Sequence, residues 1–313
     1  MKYQFSTLKE LEDLLQTEHL DFDVYLLQRE AYLSNKSLET VTAELDRRIA
    51  ITRQALIRGL AEPQRSRSGL TKGAAYGYLR NTSRIVTDPF YHRAIAYALS
   101  VNEVNACGGK VVAFPTAGSS GIVPGVIWAY WDTFALGSHE PGVQDPGLTV
   151  PQPLDPPYER PLRSAFLMAS LVGVFIAQGA TLAGAEGGCQ AECGSAGAMA
   201  AAALASLQGA SCADSFHAAA LSLKNSLGLA CDPVAGLVEV PCVKRNGFIA
   251  ANALTAVELV LAGIHSLIPF EEVIQAMKQI GDTMSFTIKE SAEGGLATTP
   301  TGLHYKKLIM GGE

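Results

Sequence analysis

Three of the six cysteines lie in short segments that glycine or proline shapes. Cys189 follows two glycines in EGGCQAE, Cys231 precedes Asp-Pro in ACDPVAG, and Cys242 follows a proline in EVPCVKRNG. Glycine permits close approach of the backbone to a ligand, and proline fixes φ and removes an N–H donor. Thiolates on a stiff backbone suit an iron–sulfur cluster. Because three thiolates leave one iron of a cubane cluster open, this set predicts a cluster that can bind a substrate.

The spacing of these cysteines leaves other interpretations open. It is C-x41-C-x10-C without a CxxC pair, whereas a zinc site usually has four ligands and at least one close pair. Zinc, a nucleophilic cysteine and ordinary core thiols are therefore alternatives. Cys107 and Cys212 lie on or near apolar helical patterns and are interpreted as buried thiols. Cys193, four residues after Cys189, is interpreted in the same way, with a metal ligand as the alternative.

The second candidate site is the loop PTAGSSG, which lies between a short extended run and an apolar helix. Its backbone N–H groups and the helix N-terminus favour an anion. The loop lacks the G-x-x-x-x-G-K-[ST] pattern and an adjacent lysine, so it suits a carboxylate better than a polyphosphate. A plain glycine–serine turn is the alternative. The candidate substrate-binding residues are Thr116, Ala117, Gly118, Ser119, Ser120 and Gly121.

The other ionisable residues give no clear catalytic base. The histidines show neither an HExxH motif nor paired spacing, and His92, His217 and His265 are interpreted as structural. Lys72, in GLTKGAA, is a candidate catalytic lysine, with a solvated side chain as the alternative. The Lys-Arg-Asn sequence at 244–246 is a candidate for binding a carboxylate or balancing the charge of a cluster, with a solvated turn as the alternative.

Composition excludes several classes of protein. The 313 residues are 48% apolar and 17% charged, which is enough to bury a sizeable core. A net charge of −6 gives no basic surface for nucleic acid. The N-terminus lacks a secretory pattern, so we expect a cytoplasmic, reducing location. Ser164–Ala185 is uncharged and long enough to span a bilayer, but its polar residues and glycines favour a helix in a protein core, and we expect no membrane association.

Hydrophobic spacing predicts an all-α protein with few short strands. Residues 1–62 are expected to form an N-terminal helical extension, and residues 63–313 the domain that carries the candidate sites. Thr7 and Glu10 form a capping-box pattern in the extension. Further helices are expected at about 37–60, 122–136, 162–184, 191–209, 213–229, 247–267 and 270–281.

Local signals divide the larger domain. Asp88-Pro89 is a helix start, because proline suits the first helical position. Lys110–Phe114 is a short β-branched run. Residues 138–161 contain seven prolines and are expected to form an exposed, extended loop. The tail from Glu290 is rich in glycine and polar residues and predicts no helix.

Three strings together resemble the alpha chain of the bacterial iron–sulfur L-serine dehydratases. They are EGGCQAE followed by AMAAAAL, CDPVAGLVEVPCVKRNG, and VNEVNACGGKVVAFPTAGSSGIVPG, and the resemblance covers roughly residues 65–305. It implies an all-α catalytic part and a [4Fe–4S] cluster whose ligands match Cys189, Cys231 and Cys242. It also implies that Thr116–Gly121 lies at the carboxylate of the substrate.

The activity that the resemblance implies is deamination of L-serine to pyruvate and ammonia without pyridoxal phosphate. L-Threonine, L-cysteine or another β-substituted amino acid is the alternative substrate, and a non-catalytic cluster-binding homologue is the alternative from another class. The intact cysteine and PTAGSSG motifs favour an enzyme.

The sequence departs from the family pattern at three places. The beta domain of single-chain members, with its SSHT-type motif, is missing, so we expect a separate beta subunit and a catalytic base that the partner supplies. The C-terminal cysteine of some members is also absent, since the chain ends Met310-Gly-Gly-Glu313. GLTKGAA replaces a GGD-like stretch, and the proline-rich segment 138–161 resembles an insertion.

Overall fold

The computed structural model describes residues 3–81, 86–135 and 148–311. Within these ranges the chain forms thirteen α-helices, and short π-helical segments follow or precede two of them. The predicted all-α fold is confirmed. The helices are α1 (Leu8–Glu18), α2 (Phe22–Ser34), α3 (Leu38–Ala61), α4 (Ala74–Arg80), α5 (Pro89–Ala106), α6 (Ile122–Tyr130), α7 (Arg160–Gly179), α8 (Gly184–Gly187), α9 (Ser195–Leu207), α10 (Cys212–Lys224), α11 (Cys242–Leu261), α12 (Phe270–Thr283) and α13 (Pro300–Met310).

Several helix starts lie where their local signals indicate. The Thr7 hydroxyl accepts from the Glu10 N–H and the Glu10 carboxylate accepts from the Thr7 N–H, which completes the capping box of α1. Asp88 caps α5, and Pro89 occupies its first position. These starts are predictable because each depends on residues within one helical turn.

The structure corrects three expectations about secondary structure. The described residues contain no strand, only two isolated β-bridges, and Lys110–Phe114 takes part in neither bridge. Helix α13 begins inside the glycine-rich tail, for which no helix was predicted; Thr299 caps it and Pro300 is its first residue. Helix α11 begins at Cys242, five residues before the predicted start at 247, because Pro241 precedes it and Gly247 does not interrupt it.

The core is centred on α9, which packs against α6, α7, α10 and α11. Its buried alanines, among them Ala198 and Ala200–Ala203, are small enough for neighbouring helices to approach closely. Helix α7 is the one helix of the described ranges that is long and apolar enough to span a bilayer. Its buried residues, including Phe166 and Phe175, pack into this core, as expected for a core helix.

The N-terminal helices share this apolar core, since Leu11, Leu56 and Leu60 are fully buried within it. Ion pairs join them to α7, where Arg160 binds Asp21 and Asp23 and Arg163 binds Asp46.

The first part of the proline-rich segment, residues 138–147, lies outside the described residues, together with His139. Residues 148–159 are described, and they form no helix or strand. The buried guanidinium of Arg53 donates to the Gln152 carbonyl oxygen from both Nε and Nη2, at 3.0 and 2.7 Å. This described part is therefore held against α3.

Candidate functional site

The three predicted cysteines come together in the fold, and Cys193 joins them. All four side chains are buried. The Cys189 thiol is hydrogen-bonded to the thiols of Cys193 and Cys231. Cys242 lies close enough to raise the pKa of Cys193 and the pKa of Cys231. The sequence therefore predicted the group of three thiols, and it favoured a core role for the fourth, Cys193, with a metal ligand as the alternative.

Each of the three predicted ligands has a different backbone conformation. Gly188, just before Cys189, has φ = 73°, a conformation that glycine adopts without strain. Cys231 is extended and pairs with a distant segment: its N–H donates to the Ile288 carbonyl oxygen at 2.8 Å, and its carbonyl oxygen accepts from the Glu290 N–H at 2.7 Å. Cys242 is the first residue of α11, so the start of that helix fixes its backbone.

The thiols do not share one protonation state. Hydrogen bonds from Cys193 and Cys231 lower the pKa of Cys189 well below its usual value, and the nearby Arg245 guanidinium lowers it further. Burial raises the pKa of Cys242 to about 12, and the hydrogen bond to Cys189 raises the pKa of Cys231. The site thus stabilises one thiolate, and metal binding would have to displace the protons of the others.

Arg245 is the cation of this site. Its Nη1 donates to the Ala230 carbonyl oxygen at 2.8 Å, and its Nη2 lies 3.6 Å from Oδ1 of Asp232. Asp232 Oδ2 accepts from the Leu296 N–H at 2.8 Å, so the aspartate also anchors the segment before α13. Arg245 therefore balances negative charge on Cys189 while holding the backbone next to Cys231.

Glu192 connects the cysteines with the glycine–serine loop. The Cys231 thiol donates to Glu192 Oε2 at 3.6 Å, and the Thr116 hydroxyl is hydrogen-bonded to the same carboxylate. Burial, followed by the negative charge of Cys189, raises the pKa of Glu192 to about 7. The sequence analysis did not single out this residue, although Glu192 lies three positions after Cys189, a spacing that places two side chains on one helical face.

The loop at 115–121 is held by asparagines from two helices. Asn246 Nδ2 donates to the Gly118 carbonyl oxygen at 2.8 Å and to the Cys242 carbonyl oxygen at 2.9 Å, and its Oδ1 accepts from the Gly121 N–H at 3.0 Å. Asn102 Nδ2 donates to the same Gly118 oxygen at 2.8 Å. Because Asn246 bonds both, the loop has a fixed position relative to Cys242.

The loop hydroxyls have different environments. Ser119 is fully buried and donates to the Phe114 carbonyl oxygen at 2.7 Å, so its hydroxyl shapes the loop. Ser120 Oγ is also buried and has no hydrogen-bond partner among the described residues. Thr116 is half-buried and faces Glu192. Ala117 is exposed, and its carbonyl oxygen accepts from Asn102 at 3.3 Å.

A buried carboxylate between Cys231 and Cys242 fixes the segment that precedes α4. Glu239 accepts hydrogen bonds from the hydroxyls of Ser66, Ser68 and Thr71 at 2.6, 2.7 and 2.6 Å. Lys72 follows directly; its side chain is exposed and its backbone forms an isolated bridge with Arg65. Within the described ranges the Lys72 side chain makes no hydrogen bond or ion pair with the cysteines or the loop, so this geometry does not support Lys72 as the base.

Buried thiols are donors of the kind that iron–sulfur clusters use. No group of three or more His, Cys, Asp or Glu side chains in residues 3–81, 86–135 and 148–311 is arranged around one ion. A cubane cluster has a different requirement, since each thiolate binds a different iron atom. Buried thiols on separate backbone segments, with Arg245 beside them, satisfy that requirement.

The fold and the site define an all-α protein in which a buried thiol group adjoins a glycine–serine loop. The chain belongs to the serine dehydratase alpha chain family, whose model matches residues 10–297. It is 40% identical to the probable L-serine dehydratase alpha chain of Bacillus subtilis over 311 residues, which cover 98% of this chain and 96% of that protein. The resemblance inferred from the motifs is confirmed, and the family consists of lyases.

Two further relatives differ in length. The chain is 37% identical to the L-serine dehydratase alpha chain of Peptoniphilus asaccharolyticus over 300 residues, covering 95% of both proteins. It is 33% identical to L-serine dehydratase 2 of Escherichia coli over 309 residues, covering 94% of this chain but 62% of that protein. The match therefore covers nearly the whole length of the two relatives that are named alpha chains, and less than two thirds of the length of the Escherichia coli relative.

Proposed function

We propose that this chain is the alpha subunit of an L-serine ammonia-lyase and holds a [4Fe–4S] cluster on Cys189, Cys231 and Cys242. The observation that carries the proposal is the convergence of these buried thiols with the Thr116–Gly121 loop, with Glu192 hydrogen-bonded to both. Membership of the family supports the substrate, because the relatives are named L-serine dehydratases.

The reaction needs a weakly acidic Cα–H to be broken and a poor leaving group to be lost. When bound, a cluster with one open iron supplies a Lewis acid for the β-hydroxyl. The loop binds the carboxylate through its N–H groups and the Thr116 hydroxyl, and Asn246 and Asn102 keep that loop in place. Arg245 offsets the negative charge that the thiolates bring into a buried site.

The overall reaction balances without an oxidant. The Cα proton goes to a base, the β-hydroxyl leaves, and the aminoacrylate product tautomerises to an imine that water hydrolyses to pyruvate and ammonia. The water lost in the first stage is regained in the last, so no net electron transfer occurs. The proposal requires no pyridoxal phosphate.

We assign the base to a separate beta subunit. The chain matches nearly the full length of two relatives that are named alpha chains, and the longer relative from Escherichia coli has additional sequence beyond the match. The position of Lys72 on the surface supports the same assignment.

Anaerobic reconstitution with iron and sulfide tests the cluster and its ligands. We expect the wild-type chain to become brown, with about four iron atoms per chain, and to form pyruvate from L-serine when a beta chain is added. Cys231→Ala should lose both the cluster absorbance and the activity. Cys212→Ala, a thiol outside the site, is the matched control and should retain both. An unchanged cluster in Cys231→Ala would refute the ligand assignment.

Variants of the loop test the position of the substrate. Thr116→Ala should raise the KM for L-serine by about tenfold, which corresponds to one lost hydrogen bond, and should leave the iron content unchanged. Thr116→Ser keeps the hydroxyl and should stay close to wild type. Assays with L-threonine and L-cysteine as substrates compare the alternatives in the same preparation; a higher kcat/KM for either than for L-serine would overturn the assigned substrate.

A further inference from the structure

Glu192 carries a partly buried carboxylate that has no cationic partner in the part of the chain that the structure describes. Its neighbours are the Thr116 hydroxyl, the Cys231 thiol and the negative charges of Cys189 and Glu290. A buried carboxylate is costly unless a cation or several hydrogen bonds offset its charge. The site is therefore short of one positive charge at this position.

The available cation of the site is engaged elsewhere. Arg245 bonds the Ala230 carbonyl oxygen, lies near Asp232 and interacts with Cys189. In residues 3–81, 86–135 and 148–311, no lysine, arginine or histidine forms an ion pair with Glu192. A ligand with a positive charge would supply the cation that Glu192 lacks in the described part of the chain.

We propose that Glu192 binds the α-ammonium group of the amino-acid substrate. This inference rests on the proposed function, which places the substrate carboxylate at the loop and its hydroxyl at the cluster. The ammonium and carboxylate groups are both attached to Cα, so their binding groups must be neighbours. Glu192 meets that condition, because its carboxylate is hydrogen-bonded to Thr116 of the loop and to the Cys231 thiol.

The backbone around Glu192 leaves room for its carboxylate. A Cβ at position 184 would lie 2.5 Å from Glu192 Oε2, so a side chain there would displace the carboxylate from its present position. Oε1 is directed toward Gly118 and would be 3.9 Å from a Cβ at that position. Glu192 itself lies on the π-helical segment Gln190–Gly194, and such segments occur frequently at functional sites. One oxygen thus faces the loop and the other faces the cysteines.

This arrangement would bind an L-amino acid at three points. The loop takes the carboxylate, Glu192 takes the ammonium and the cysteine-bound group takes the β-hydroxyl. Three different contacts around one chiral carbon distinguish L-serine from D-serine. Hydroxy acids that lack the ammonium group would leave Glu192 unpaired, so they should bind weakly.

Glu192→Gln separates charge recognition from a structural role. Glutamine has nearly the same shape, and its amide oxygen and nitrogen can still pair with Thr116 and Cys231. The charge alone is lost. The matched control is Glu186→Gln, which removes a charge from an exposed side chain six residues earlier.

The test compares L-alanine with propionate, which differ by the ammonium group and cannot lose a β-hydroxyl. Binding of each to the reconstituted alpha–beta complex is measured by calorimetry. We expect the wild type to bind L-alanine at least tenfold more tightly than propionate. Glu192→Gln should weaken L-alanine binding about 10- to 100-fold, the range for a charge-assisted hydrogen bond, and should leave propionate unchanged or slightly tighter. Iron content and the Glu186→Gln control should match the wild type.

Equal weakening of both ligands in Glu192→Gln would overturn the inference, because it would show a structural role only. An unchanged preference for L-alanine would overturn it as well. Pyruvate formation by the wild type tests the proposed function separately. Since neither test ligand reacts, the binding comparison gives its answer even if L-serine proves not to be the substrate.

Discussion

The buried carboxylate of Glu239 gives the sharpest stability prediction. It accepts three hydroxyl hydrogen bonds from the segment before α4, and it lies three residues before Cys242. Each hydrogen bond to a charged acceptor contributes about 1.5–3 kcal/mol. The Ser66 and Ser68 hydroxyls are 2.9 Å apart, so they can pair with each other after the carboxylate is removed and recover part of the loss.

We therefore expect Glu239→Ala to lower the free energy of unfolding by about 4 kcal/mol. Glu239→Gln should lose only about 1–2 kcal/mol, because its amide oxygen still accepts from two hydroxyls and its amide nitrogen donates to the third. Glu293→Ala, an exposed glutamate after the site, is the control and should change stability by less than about 0.5 kcal/mol.

Urea denaturation of the apo chain, followed by circular dichroism, measures these differences. Iron content after reconstitution is the second readout, and it should fall in Glu239→Ala because the loop between Cys231 and Cys242 loses its anchor. A loss below about 1 kcal/mol in Glu239→Ala, or equal losses in the alanine and glutamine variants, would refute the reasoning from charged hydrogen bonds.

Three further predictions concern the backbone, the loop anchor and a buried histidine. Gly121→Ala should lower the free energy of unfolding by about 3 kcal/mol in urea denaturation, since its Cβ would clash with the Ala98 carbonyl oxygen. Gly77→Ala, in open space on α4, should instead raise it by about 0.5–1 kcal/mol. Asn246→Ala should raise the KM for L-serine about tenfold in the pyruvate assay, because it frees Gly118 of the loop; an unchanged KM would contradict this role. Burial lowers the pKa of His92, so the unfolded chain binds the proton more readily, and unfolding measurements should show stability falling as the pH drops below about 6.5. His92→Gln should lack that component, and an identical pH profile in both proteins would contradict it.

Local sequence signals determined a large part of the fold. The capping box of Thr7, the Asp88-Pro89 start of α5 and the apolar spacing of α3 depend on residues within a turn or two, so they can be read directly. The tail was harder to interpret: its glycines argued against a helix, although the Thr299-Pro300 start of α13 was present in the sequence. The N-terminal cap of α4 could not be predicted from local sequence, because its first N–H groups donate to the carboxylate of Glu103, which is distant along the chain.

The motifs around Cys189, Cys231 and Cys242 were sufficient to predict the family and the group of thiols, because each cysteine is accompanied by glycine or proline residues that shape its own turn. The tertiary structure decided the rest. It brought Cys193 to the same group, paired Cys231 with a segment more than fifty residues away and set Glu192 between the thiols and the loop. It also left Lys72 on the surface. The physical reason is that sequence spacing reports contacts within one element, whereas burial, charge balance and contacts between elements arise only when the helices pack.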